Sequence, residues 1–248
     1  MGARQCLFCP KSSDSKEHLW SDWILQSLKH REPVRQMIGD APNKPFTGPV
    51  TVRCVCGGCN QGWMSALEGK VRPLVGSFLH DISHTLDAEQ QEAISLWATK
   101  TAMVLDATNT RIRTRFYERH ECERLRLQSS IPMRSRIWLG RFCGSGLFAA
   151  GTDISLDIGK AQKAAHGCVI TFIVGCLAIQ VLTVHFPPQY DGIEIPVGLS
   201  PGPWDDLLVG IWPTSNRISW PPGLAFTMGK PFPFISLRDR WKTGSKAV

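Results

Sequence analysis

The chain lacks several features that would place it in a special class. It has no internal repeat and no low-complexity tract. Its opening residues, MGARQCLFCP, contain no apolar stretch, so they do not read as a secretory signal. Its nine cysteines are an odd number, which excludes a fully paired disulfide framework. Charged residues make up 20% and hydrophobic residues 43%, which excludes an intrinsically disordered chain. One long uncharged run exists, Gly167 to Val184. It is rich in Val, Ile and Thr, has Gly175 near its middle and lacks a basic cluster at either end. Two buried strands turning near Gly175-Cys176 are expected there, not a membrane span. Together these features predict a folded, cytoplasmic protein, large enough at 248 residues for one or two cores.

What is present is concentrated at the front. Two Cys-x2-Cys pairs, Cys6/Cys9 and Cys56/Cys59, bracket an acid–histidine dipeptide, Glu17-His18, and Asn60 follows the last cysteine directly. Two such knuckles about fifty residues apart have the spacing of a discontinuous tetrahedral zinc site. Cys54 stands at the wrong spacing to share it. Glu17, His18 and Asn60 offer a different chemistry: oxygen donors for a hard cation and an imidazole base.

The net charge of +7 is uneven. Residues 111–141 hold nine arginines against three glutamates, or +6. Arg111, Arg113, Arg115, Arg124, Arg126, Arg134 and Arg136 are the candidate contacts to a polyanion, because guanidinium forks match phosphate geometry. A solvated surface is the competing reading. Arg111, Arg113 and Arg115 alternate with Ile112, Thr114 and Phe116, which predicts a strand with one basic face.

Periodicity supplies the remaining elements. Apolar residues at 20, 23, 24, 25 and 28 predict a helix over 17–28, and residues 31–50 read as an irregular loop. A short strand at 50–52 and a helix over 62–75 follow. Asp87 and Gln90 form a capping-box pattern before a helix over 87–108, with Ile94, Trp97, Ala98, Thr101, Val104 and Leu105 as its stripe. Strands are expected at 137–142 and 147–151, and short strands and loops after Pro187. The fold class expected is α+β: a zinc-organised module over 1–85, then a helix and a mainly antiparallel β domain over 86–248.

The motif order resembles the HNH, or ββα-metal, nucleases, and most of all their zinc-bearing group, which includes phage recombination endonucleases. The stretches EHLWSDWI and CVCGGCNQGWMSALE are also similar to a bacterial subgroup of HNH proteins. The resemblance covers residues 6–75. It implies a treble-clef ββα fold with structural zinc on Cys6, Cys9, Cys56 and Cys59. It implies His18 as general base, with Glu17 and Asn60 holding one Mg²⁺ or Mn²⁺, and hydrolysis of DNA to 5′-phosphate and 3′-hydroxyl ends. The acid is Glu where the family more often has Asp. The residue that orients the histidine has no clear counterpart, Asn43 being the nearest. A zinc module that binds nucleic acid or a protein partner without cutting is the alternative. In a third reading residues 86–248 form a sensor, partner-binding or self-associating domain that controls the nuclease.

Overall fold

The computed structural model describes residues 4–28, 35–38, 41–42, 51–108, 115–143, 147–158, 161–188 and 207–227. It is a mixed helix-and-sheet protein with its cysteine cluster at the N-terminal end.

The front of the chain departs from the helix expected over 17–28. Ser15–His18 is a strand, β1, and the helix α1 is confined to Asp22–Ser27. The strands β2 (Arg35–Ile38) and β3 (Ala41–Pro42) lie within the segment expected to be an irregular loop. Strand β4, Thr51–Val55, pairs antiparallel with β1, setting Glu17 opposite Val52 and His18 opposite Thr51. This pairing satisfies backbone groups that a longer helix would have satisfied within itself, and tertiary pairing overrides the local apolar spacing. A single helical turn, α2 (Gly57–Cys59), and a wider turn over Asn60–Met64 lead into α3, Ser65–Leu79. Val71, Val75, Phe78 and Leu79 are its buried face.

After β5, His84–Leu86, comes the central helix α4, Ala88–Thr108. Its capping box forms as the sequence predicts: the Asp87 carboxylate accepts from the Gln90 amide N–H at 2.9 Å, and the Gln90 side chain accepts from the Asp87 N–H at 3.1 Å. The expected stripe is buried, and so is nearly everything from Ala93 to Ala107. One side of α4 packs on a large sheet, with Trp97 edge-on to Phe172 at 5.8 Å. Another packs on α3 and β4.

Helix α5, Arg119–Gln128, precedes the strands β6 (Ser135–Cys143), β7 (Leu147–Ile158), β8 (Ala161–Val174) and β9 (Leu177–His185). Strands β10 (Leu208–Trp212), β11 (Ile218–Trp220) and β12 (Ala225–Thr227) complete the described chain. The eight-stranded sheet runs β10-β6-β9-β8-β7-β2-β3, with β12 also on β6. The pairings among β6, β9, β8 and β7 are antiparallel, while β2 on β7 and β12 on β6 are parallel. Strand β11 pairs with β5 outside this sheet. One apolar cluster joins Phe8, Val55, Val75 and Phe78 to Trp97, Ile137, Phe172 and Val181, so both halves of the chain share it.

The hairpin expected around Gly175 is present. Gly175 has φ +59°, and a Cβ there would lie 2.7 Å from the Leu79 carbonyl oxygen and 2.9 Å from Leu28 Cδ2. The Cys176 N–H donates to that same carbonyl at 3.2 Å, so the turn is clamped on the end of α3. Gly175→Val is therefore expected to cost about 2–3 kcal/mol, backbone strain and steric overlap acting together. Denaturant unfolding measures it, and a loss below 0.5 kcal/mol would show that the turn does not need glycine.

No helix among the described residues is long and apolar enough to cross a membrane.

Candidate metal centre and acid–histidine cleft

Cys6 and Cys9 sit in a tight turn closed by the Cys6 N–H bond to the Lys11 carbonyl at 2.7 Å. Cys56 and Cys59 sit where β4 runs into α2. The hydrogen bond from the Leu7 N–H to the Cys54 carbonyl, 2.7 Å, draws the two knuckles together. All four Sγ atoms lie within 4.8 Å of one another, and all four residues are buried. Backbone N–H groups of Cys56 and Cys59 donate to Cys6 Sγ (3.2 Å) and Cys56 Sγ (3.4 Å), while burial raises the Cys6 and Cys59 thiols. Burial raises the Cys56 thiol, but these hydrogen bonds and its neighbouring thiols outweigh it and bring it down to about 7. The set is four soft donors, buried and closed, and can hold a metal ion such as zinc. Cys54 stays outside it: burial pushes its thiol up to about 12. Phe8 packs edge-on against Trp63 at 4.9 Å beside the cluster.

A cleft of about 300 Å³ lies near this centre, and Glu17, His18 and Asn60 all line it, with Asp22, Met64 and Glu68. The β1–β4 ribbon delivers Glu17 and His18; the turn after the last zinc-type cysteine delivers Asn60. Glu17 turns inward and is 5% exposed, while His18 ends the strand half-exposed. The Asn60 amide nitrogen donates to Ser15 Oγ at 2.9 Å and to the Lys16 carbonyl at 3.3 Å. Those bonds pin it to β1 and leave its carbonyl oxygen as the group it can offer a cation. Among the described residues, the four cysteines are the one set of three or more Cys, His, Asp or Glu side chains close enough to share an ion. The acid–histidine cleft instead presents a carboxylate, an amide and an imidazole, those of Glu17, Asn60 and His18.

Three further residues have no role assigned from the sequence, although Asp22 and Glu68 fall within the stretches EHLWSDWI and CVCGGCNQGWMSALE. Asp22 Oδ1, at the start of α1, lies 3.5 Å from His18 Nδ1 at the end of β1. Glu68, on α3, lines the cleft opposite Glu17. Lys100, from α4, does not line the cleft but is buried against its carboxylates, with its ammonium 2.9 Å from Glu68 Oε1 and 3.6 Å from Glu17 Oε1. Burial raises the Glu17 carboxyl above its usual range; Lys100 opposes this and Glu68 adds to it. Burial also raises Glu68, but Lys100 and a hydrogen bond from Ser21 outweigh it, leaving Glu68 below its usual range. A sequence signal for Lys100 exists: it is the single charged residue between Ala93 and Leu105.

The described arginines are spread over several elements, and most of the strand expected over 111–116 lies outside the described residues. Arg111 and Arg113 lie outside the described residues, as does Asn43. Arg115 is exposed in irregular chain, not in a strand. Arg124 and Arg126 are on α5, Arg134 lies in a turn, and Arg136 is on β6. Arg134 stacks over Phe186 at 4.6 Å, and with Arg124 it lines a second, larger cleft of about 710 Å³ between α5 and the end of β9.

Comparison with protein families, with characterised proteins and with solved structures gives no match.

Proposed function

We propose that the protein is a metal-dependent endonuclease of the HNH kind acting on DNA, with β1, β4 and α3 as a treble-clef ββα module around structural zinc. The observation that carries this reading is the gathering of Glu17, His18 and Asn60 around one cleft beside the four cysteines. The strand–strand–helix order supports it. His18, presented at the strand end and flanked by Asp22, takes the proton from the attacking water. Glu17 and Asn60 hold one Mg²⁺ or Mn²⁺. When bound, the ion neutralises charge on the phosphate and the leaving 3′ oxygen. Asn60 also ties the helical side of the site to β1, keeping base and ligands in register. Arg115, Arg124, Arg126, Arg134 and Arg136, with Arg111 and Arg113, supply phosphate contacts that give affinity without sequence choice. All nine cysteines are free, which suits a reducing, cytoplasmic setting.

One observation favours the second reading, a zinc module that binds nucleic acid or a protein partner without cutting. Lys100 already sits against Glu17 and partly neutralises the carboxylate that the ion needs.

A single assay separates the two. Zinc-loaded protein with supercoiled plasmid is expected to produce nicked or linear DNA when Mg²⁺ or Mn²⁺ is added, and none in its absence. DNA binding is expected to fall about 10³-fold or more between 50 and 200 mM salt if six or more arginines contact phosphates. Retardation without cleavage at any divalent-ion concentration would establish the binding module instead. Affinity flat in salt would remove the arginines as a phosphate surface.

A further inference from the structure

A lysine is almost never fully buried without partners, and Lys100 is 3% exposed. Both of its partners are the carboxylates that line the acid–histidine cleft. The two contacts are unequal. Glu68 Oε1 is at 2.9 Å, a full charge-assisted hydrogen bond, and Glu17 Oε1 is at 3.6 Å, beyond one. Two carboxylates and one ammonium leave the group one positive charge short of balance. The surplus faces a cleft that also presents Asn60 and His18. The group can therefore take a further cation, on the Glu17 side, where the lysine's hold is weaker.

Lys100 does not belong to the β1–β4–α3 module at all. It is carried by α4, whose other side packs on the eight-stranded sheet. A charge placed at a cation seat from a separate element sets the affinity of that seat through its own position.

We propose that Lys100 is a built-in competitor for the cation seat: it holds Glu68 and leans on Glu17 in the ion-free protein, and its charge limits how tightly a divalent cation binds at Glu17. This rests on the reading of the cleft as a divalent-ion site. A cation held by Glu17 would compete with the longer Lys100–Glu17 contact rather than with the shorter Lys100–Glu68 pair. Any shift of α4 relative to α3 moves the competitor. Lys100 is thus the residue through which the sheet-bearing part of the chain can raise or lower ion occupancy. It is a positioning residue and touches no substrate.

The test is Mn²⁺ binding, followed by electron paramagnetic resonance on the full-length, zinc-loaded chain. Lys100→Met alone would leave the buried Glu17 and half-buried Glu68 carboxylates without their shared cation, so the informative variants are Glu68→Gln and the double variant Glu68→Gln/Lys100→Met. In Glu68→Gln the ammonium has only Glu17 to hold, and Mn²⁺ affinity is expected to fall at least tenfold from wild type. Removing the ammonium as well is expected to restore at least tenfold over Glu68→Gln. Zinc content and melting temperature confirm that each variant is folded. The proposal is overturned if the double variant binds within twofold of Glu68→Gln, or if Glu17→Gln leaves Mn²⁺ affinity unchanged. Lys100-dependent Mn²⁺ binding in a protein that does not cut DNA would sustain this inference while removing the nuclease.

Discussion

Stripping the metal from the four cysteines is expected to unfold the front of the chain. The β1–β4 ribbon has only two strands, and an isolated two-stranded ribbon is at best marginal in water. Zinc bound to four thiolates contributes apparent free energies of about 10–16 kcal/mol in small zinc modules, against about 5–15 kcal/mol for a whole domain. Losing it removes more than the ribbon can supply. The thiols report the change directly. In the metal-loaded protein, Cys143 is exposed and should react first with a thiol reagent. Cys54 and Cys122, each pushed up to about 12 by burial, are about one part in ten thousand thiolate at pH 8 and stay silent. After chelation, Cys6, Cys9, Cys56 and Cys59 should join the reactive set, with a matching loss of helical circular dichroism. A thiol count unchanged by chelation would mean that no metal holds these cysteines.

His18→Ala is expected to lower the cleavage rate about 10²- to 10⁴-fold, the usual contribution of a positioned general base. DNA affinity and melting temperature should stay near wild type, because His18 is half-exposed and no buried group depends on it. His18 is therefore a cleaner probe than Glu17, whose replacement also disturbs Lys100 and Glu68. Asp22→Asn is expected to give a smaller loss, since the 3.5 Å His18–Asp22 contact is exposed and orients the ring without supplying the base. An equal loss in the two variants would mean that Asp22 shares the proton transfer.

The residues that were legible in the sequence are those whose signal is local. Cys-x2-Cys spacing marks a turn whatever surrounds it, and the Asp87–Gln90 box is complete within four residues. The uncharged run at 167–184 breaks at Gly175, where a positive φ is required. The misread elements depend on distant partners. Residues 17–28 have helical spacing, but Glu17 and His18 are claimed by β4, more than thirty residues away. The single stripe read on α4 understates its burial, because two charged residues off the stripe find partners elsewhere in the chain. Lys100 meets Glu17 and Glu68, and the Asp106 carboxylate accepts from the Phe116 and Tyr117 N–H groups at 2.8 and 3.1 Å. For the same reason the sequence assigns roles to Glu17, His18 and Asn60 but none to Lys100, nor to Asp22 and Glu68, although both lie in the stretches that carry the resemblance. The first three lie in the strands and turns that the cysteine pairs organise. Of the others, Glu68 and Lys100 enter from helices whose docking no local pattern records.

The proposed activity is phosphodiester hydrolysis in the cleft beside the cysteine cluster, with His18 as base. The most direct measurement is a plasmid-nicking time course in Mn²⁺, with wild type and His18→Ala at equal zinc content and equal DNA occupancy. The account requires nicking by wild type and a rate at least a hundredfold lower for the variant. Equal rates in the two, or no nicking by either, would contradict it.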